Sequence, residues 1–475
     1  MPSSDLHYLG AVDAVRMFRS RELSPVELMD AVIARAEAVA PRLNPFSQTF
    51  FDEARDQAKK AEARYGRGGR TRSLEGLPLA VKDEETIKGL PATSGSTAFR
   101  NVIGEETTPI VERCFNAGAV MHVRTTTPEF SCAGVCYTRH WGVTRNPWNT
   151  DYTPGGSSGG SGATLAAGGS PLATGSDIAG SIRIPASCSG VVGFKPPYGR
   201  NPQTHIFNLD TYCHSGPMAR SVADCALLQN AMAGPHPRDI ATLRPRLRLP
   251  LDYAPVKGMR IALSIDLGYC EVDEDVRQNT LDAATKLREA GAIVDEVEIG
   301  WSWDVLTAAM NYLGHLFGNS IAPALRRHRH ELMPYTVAFA DFGAGTTGED
   351  FLDAQKLAGE MYDVLGPLLS RYDALVCPTN ALAAVPAEFD STREDLSING
   401  VAVDPMLGWV MTYPFNIMSR CPVLTVPSGL DRSHVPTGLQ IVGRTYDDPT
   451  VFRIGHAVEA ADPWYTNPAR RPDVA

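Results

Sequence analysis

Residues 154–196 read PGGSSGGSGATLAAGGSPLATGSDIAGSIRIPASCSGVVGFKP. Glycine and serine dominate, and almost no residue is charged. A flexible linker shares that composition but lacks apolar inserts. Here Leu165-Ala166-Ala167, Pro171-Leu172-Ala173 and residues 182–184 interrupt the glycine–serine clusters. The stretch is therefore predicted to fold into a core, with glycine where backbones approach closely. Two serines stand out, Ser157 in GGSSGG and Ser181 in DIAGSIR.

The chain around it has 475 residues, 43% of them hydrophobic, enough for one large α/β domain or two to three smaller ones. Its net charge of −10 argues against unaided binding to nucleic acid or to an anionic membrane. No apolar run approaches the roughly 18 residues of a spanning helix, and residues 1–20 carry no secretory pattern, so a cytoplasmic location is expected. The nine cysteines are scattered, and Cys132 and Cys136 have no second pair at zinc spacing. They read as reduced thiols, with no metal and no cofactor expected. The run 326–330, RRHRH, reads as a solvated helix end.

Taken in order, Ser24-Pro25-Val26-Glu27 is a capping box with proline at the first helical position. Leu28, Val32, Ala36 and Val39 recur at helical spacing, and the helix is predicted to end before Pro41. A second helix is predicted over 50–65. Residues 77–81, LPLAV, form a short apolar strand that delivers Lys82. The chain has only eight lysines, and Lys82 follows a buried-type strand directly, so it is a candidate interior ammonium whose burial would let it act as a base. Adjacent Asp83 offers the alternative of a plain salt bridge. A helix over 108–117 and a strand over 119–123 precede a loop-rich stretch, 125–149, of the kind that walls pockets. Beyond the glycine–serine stretch, strand 259–264, helix 276–290 and strand 293–299 make a βαβ unit. Residues 301–372 read mostly helical, and further strands follow from 374. The pattern is α/β with a mixed or largely parallel sheet.

Gly155-Gly156-Ser157-Ser158-Gly159 fits GxSxG, but that nucleophile elbow needs a strand before it, and NPWNTDYTP at 146–154 is no central strand. A phosphate-binding loop is excluded because no GK[ST] follows the glycines.

The order Val81-Lys82-Asp83, GGSSGG, DIAGSIR resembles the amidase signature family, at intervals of 75 residues (82 to 157) and 24 (157 to 181). PVLTVPSGL and GLQIVGR extend the likeness toward the C-terminus, so it spans most of the chain. The resemblance implies one large domain, 1–475, with a central mixed β-sheet covered by helices on both faces. Within it lie N-terminal helices (1–65), a signature core (70–200), a helical pocket-forming segment (300–372) and C-terminal strands (373–460). It further implies a catalytic triad of Lys82, Ser157 and Ser181, with a cis peptide before Ser157. Backbone N–H groups of Ile178, Ala179, Gly180 and Ser181 would form the oxyanion hole, Ser131 would contact substrate, and Asp177 and Arg183 would pair to pin the loop. Ser158 reads as a structural hydrogen-bonder. Where the family commonly has Gly-Gly before the nucleophile this chain has Ala179-Gly180, and a positive φ at Ala179 would carry a steric cost.

Serine needs a base at neutral pH. In the implied mechanism neutral Lys82 takes a proton from Ser157, Ser157 takes one from Ser181, and Ser181 attacks the carbonyl carbon. The expected reaction is hydrolysis of the carbon–nitrogen bond of a small acyl or aryl amide, with esters and carbamates as side substrates. The alternatives are the amidase component of a glutamine-dependent tRNA amidotransferase and a non-catalytic scaffold. Pocket walls are expected from 126–137, 300–345 and 405–420, with Phe130, Trp303, Tyr312, Phe317, Trp409 and Tyr413 supplying an apolar lining. The expected partner is a small-molecule amide, without nucleic acid or membrane, and a homodimer is compatible with the sequence.

Overall fold

The computed structural model describes residues 3–474. Eleven strands form one mixed sheet. Their spatial order is Phe46–Thr49, Val120–Thr125, Pro78–Lys82, Leu172–Asp177, His214–Ala219, Val192–Lys195, Val423–Leu430, Pro436–Gly443, Ala374–Pro378, Arg260–Leu263, Ile293–Glu296. Pro78–Lys82 runs parallel to both of its neighbours, whereas the five central pairings from Leu172–Asp177 to Ala374–Pro378 are antiparallel. Among the described residues no helix is long and apolar enough to cross a membrane.

The glycine–serine stretch lies at the centre. From 154 to 196 every residue is buried except Ile178 and Ala179. Helix Gly159–Ala166, strand Leu172–Asp177, helix Arg183–Ser189 and strand Val192–Lys195 all come from it. Small side chains let these segments pack at backbone contact distance: a Cβ on Gly156 would stand 2.4 Å from the carbonyl oxygen of Val135.

Local signals place most elements within a residue or two. The Ser24–Glu27 capping box opens helix Pro25–Leu43, and Leu28, Val32, Ala36 and Val39 are buried along it. That helix does not stop before Pro41 but runs through it to Leu43. A proline in the last turn removes a single backbone bond, and Asn44, left-handed at φ 48°, closes the helix with its N–H on the carbonyl of Ala40. Strand Val120–Thr125 extends two residues past its predicted end because Arg124 and Thr125 pair with Val81 and Lys82. Strand Ile293–Glu296 ends early, at the sheet edge, where its neighbour ends at Leu263.

Candidate active site

Pro78–Lys82 is buried along its length and delivers Lys82 at its carboxyl end. The Lys82 N–H donates to Thr174 Oγ1 (2.9 Å), which ties it to the parallel strand Leu172–Asp177. Lys82 is fully buried, and its Nζ donates to Ser157 Oγ and to Ser176 Oγ, both at 2.7 Å. Its carboxylate partner is Glu84, with Oε2 at 2.7 Å, and not adjacent Asp83. Successive side chains leave an extended chain on opposite sides, so Asp83 turns away to Arg124 at 3.4 Å and Glu84 returns to the lysine's side.

Ser157 follows a cis Gly156–Ser157 peptide and is fully buried. Its neighbour Ser158 donates its N–H to the Ser181 carbonyl (3.1 Å), which joins the two serine segments. The Ser158 hydroxyl also bridges to Ser176, as a structural hydrogen-bonder would. Before Ser181 the left-handed residue is Gly180, at φ 130°, and not Ala179. A Cβ at Gly180 would fall 2.0 Å from Thr412 Oγ1. The methyl group of Ala179 thus sits at an ordinary φ, and its carbonyl accepts the Thr412 hydroxyl at 2.6 Å.

In the hydrogen-bond network of the described residues, the N–H groups of Ile178, Ala179, Gly180 and Ser181 have no acceptor. Ser181 Oγ is likewise without a partner, and the residue is 7% exposed, facing a cavity. A hydroxyl beside a row of free N–H groups is the arrangement that receives a developing oxyanion.

The turn is held by a buried bidentate pair. Arg183 Nε and Nη2 donate to Asp177 Oδ2 and Oδ1, each at 2.9 Å, and both residues are fully buried. Asn416 Nδ2 donates to Asp177 Oδ1 (2.8 Å), while Arg183 also donates to the Thr412 carbonyl, Asn416 Oδ1 and Gln440 Oε1. Burial alone would raise the Asp177 carboxyl, but the Arg183 guanidinium outweighs it and holds the group down at about 2. Glu84 follows the same balance. Burial pushes it up, and the Lys82 charge with hydrogen bonds from Lys82, Ser176 (2.5 Å) and Ser131 (3.0 Å) holds it below the usual carboxylate range.

The cavity at Ser181 is lined by residues 131–134, Ile178, Ala179, Ile184, Met310, Leu313, Phe317, Phe339, Met406 and Leu407. These include residues from all three expected wall segments and contain no Asp, Glu, Lys or Arg. Of the six aromatics expected there, only Phe317 lines it. Trp409 and Tyr413 are core residues, Tyr312 stacks on Tyr212, and Trp303 is 39% exposed beside Tyr269. Phe130 lines a second cavity. The Ser181 cavity has a volume of about 40 Å³. One water needs roughly 10–15 Å³ on that measure, so the space suits a small acyl group.

Four features escape a reading of the sequence. Glu84 and Ser176 complete the surroundings of Lys82; strand alternation could have indicated the first. Lys195 is a second fully buried lysine, pushed down to about 7 by burial and by Arg183. It ends a short apolar strand just as Lys82 does, so the same signal was present. Thr412, Asn416 and Gln440 carry no local signal at all.

Comparison with known proteins agrees with this geometry. The Amidase family description matches residues 27–452. An acylamidase from Rhodococcus erythropolis is 33% identical over 98% of both chains. The amidase-family component of the glutamyl-tRNA(Gln) amidotransferase from Chloroflexus aggregans is 31% identical over 99% of both. The crystal structure of a bacterial aryl acylamidase of the amidase signature family superposes with a TM-score of 0.90 at 30% identity, over 98% of this chain and 99% of the other. The chain belongs to the amidase signature family and is an amidohydrolase.

Proposed function

We propose that this enzyme hydrolyses the carbon–nitrogen bond of a small acyl or aryl amide through an acyl-enzyme on Ser181. The observation that carries the reading is the buried 2.7 Å contact from Lys82 Nζ to Ser157 Oγ, in a site whose Ser181 hydroxyl and neighbouring N–H groups are free. Neutral Lys82 accepts the Ser157 proton as Ser157 accepts that of Ser181, and Ser181 Oγ bonds to the carbonyl carbon. The free N–H groups receive the oxyanion, and one such donor is worth about 10²–10³ in rate. Collapse breaks the carbon–nitrogen bond, Ser157 returns a proton to the leaving amine, and water releases the acyl group by the reverse relay. Lys82 is an ammonium while the tetrahedral intermediate exists. Glu84 at 2.7 Å is the counter-charge for that state.

The amidotransferase reading has the support of 31% sequence identity to the Chloroflexus aggregans protein. The Ser181 cavity favours the hydrolase, because it presents no charged side chain to the ammonium and carboxylate of glutamine.

The test is intact mass and peptide mapping after fluorophosphonate treatment of wild type, Ser181→Ala and Lys82→Ala. Single labelling at Ser181, abolished by the first change and greatly slowed by the second, is expected. A wild-type protein that does not label contradicts the acyl-enzyme reading. Cleavage of glutamine in preference to anilides would move the amidotransferase reading ahead.

A further inference from the structure

A second and larger cavity, of about 330 Å³, adjoins the site on the far side of Phe317, which lines both. Its wall contains two carboxylates, Glu84 and Glu85, and neither lysine nor arginine. Four phenylalanines surround them in two edge-to-face pairs, Phe99 with Phe130 and Phe207 with Phe317. Glu84 is 31% exposed at its side chain, and all its hydrogen bonds fall on Oε2, so Oε1 remains available. Glu85 is 5% exposed and, among the described residues, has no ion-pair partner. Its side chain is reached only by hydroxyls, Ser215 at 3.4 Å and Thr108. A carboxylate buried to that degree is costly without a counter-charge.

Resting on the acyl-enzyme reading, we propose that this cavity binds a cationic group, a primary or quaternary ammonium, carried on the substrate arm that the Ser181 cavity does not hold. The chemistry is complementary on three counts. Aromatic faces attract a desolvated cation. Two carboxylates supply its counter-charge. The small volume at Ser181 leaves the bulkier arm to the larger space. Burial and the neighbouring Glu84 charge push the Glu85 carboxyl up to about 7, as expected of an acid that lacks a resident cation.

The experiment compares two isosteric anilides, 4-acetamidophenyl-trimethylammonium and 4-tert-butylacetanilide, which differ in one nitrogen and its charge. Wild type is expected to favour the cation by about tenfold or more in kcat/KM, and Glu85→Gln to bring the ratio near unity. A wild-type ratio at or below one overturns the proposal, as does a ratio unchanged by Glu85→Gln in a variant that still labels at Ser181. Calorimetric titration with phenyltrimethylammonium decides the matter independently of turnover. Binding to wild type that weakens at least about tenfold in Glu85→Gln supports the site, and absence of binding to wild type sinks it. Failure of the hydrolase reading appears separately, as a Ser181 that never labels.

Discussion

Ala179 and Gly180 stand side by side before the candidate nucleophile, yet only one must be glycine. Gly180 lies at φ 130° with Thr412 Oγ1 where a Cβ would go. Gly180→Ala is expected to cost several kcal/mol, roughly the sum of left-handed strain and overpacking, and to abolish fluorophosphonate labelling. Ala179→Gly should change stability by about 1 kcal/mol or less and keep labelling. Thermal melts and labelling rates of both variants check this. Glu84→Gln keeps shape but removes the counter-charge of Lys82. A charge-assisted hydrogen bond is worth about 1.5–3 kcal/mol, so kcat on a neutral anilide should fall about 10- to 100-fold with KM little changed. Steady-state kinetics that instead raise KM at constant kcat would assign Glu84 to ground-state binding alone.

The turn between strand Leu172–Asp177 and helix Arg183–Ser189 depends on one buried ion pair. Breaking it by Arg183→Met leaves Asp177 buried without its cation, which should cost about 3–5 kcal/mol in urea unfolding. The pair also sets an acid limit. Asp177 is held at about 2, below its ordinary value of 3.8, so the folded state binds fewer protons than the unfolded chain in that window. Its stabilising contribution is complete above 3.8 and is lost as pH falls through about 2. Urea midpoints of wild type should drop over that interval, and those of Arg183→Met should drop less. Equal slopes would show that the pair does not govern acid stability.

At the scale of the whole molecule the C-terminal strands are part of the site's support. Arg183 reaches Thr412, Asn416 and Gln440, which lie 229, 233 and 257 residues along the chain. Strand Val423–Leu430 pairs directly with Val192–Lys195, the last strand of the glycine–serine stretch. A chain ended at residue 372 loses three sheet strands and these hydrogen-bond partners together. It is expected to give neither a cooperative thermal transition nor labelling at Ser181, whereas wild type melts with its near- and far-ultraviolet circular dichroism signals coincident. A truncated chain that still labels would mean the signature core folds alone.

The order of Lys82, GGSSGG and DIAGSIR was legible in the residues because the chemistry there is set by local backbone. Glycines are required where no Cβ fits, and a short apolar strand must precede a buried lysine. The alternation of strands and helices was legible for the same reason, since hydrophobic periods of 2 and 3.6 are local properties. The Lys82–Glu84 partnership, the Arg183 network and the lining of both cavities required the folded molecule. An aromatic residue in a wall segment reads the same whether it turns to the core, as Trp409 and Tyr413 do, or to the cavity, as Phe317 does. Only the packing of segments more than two hundred residues apart separates those outcomes, because burial depends on what a side chain meets across the fold.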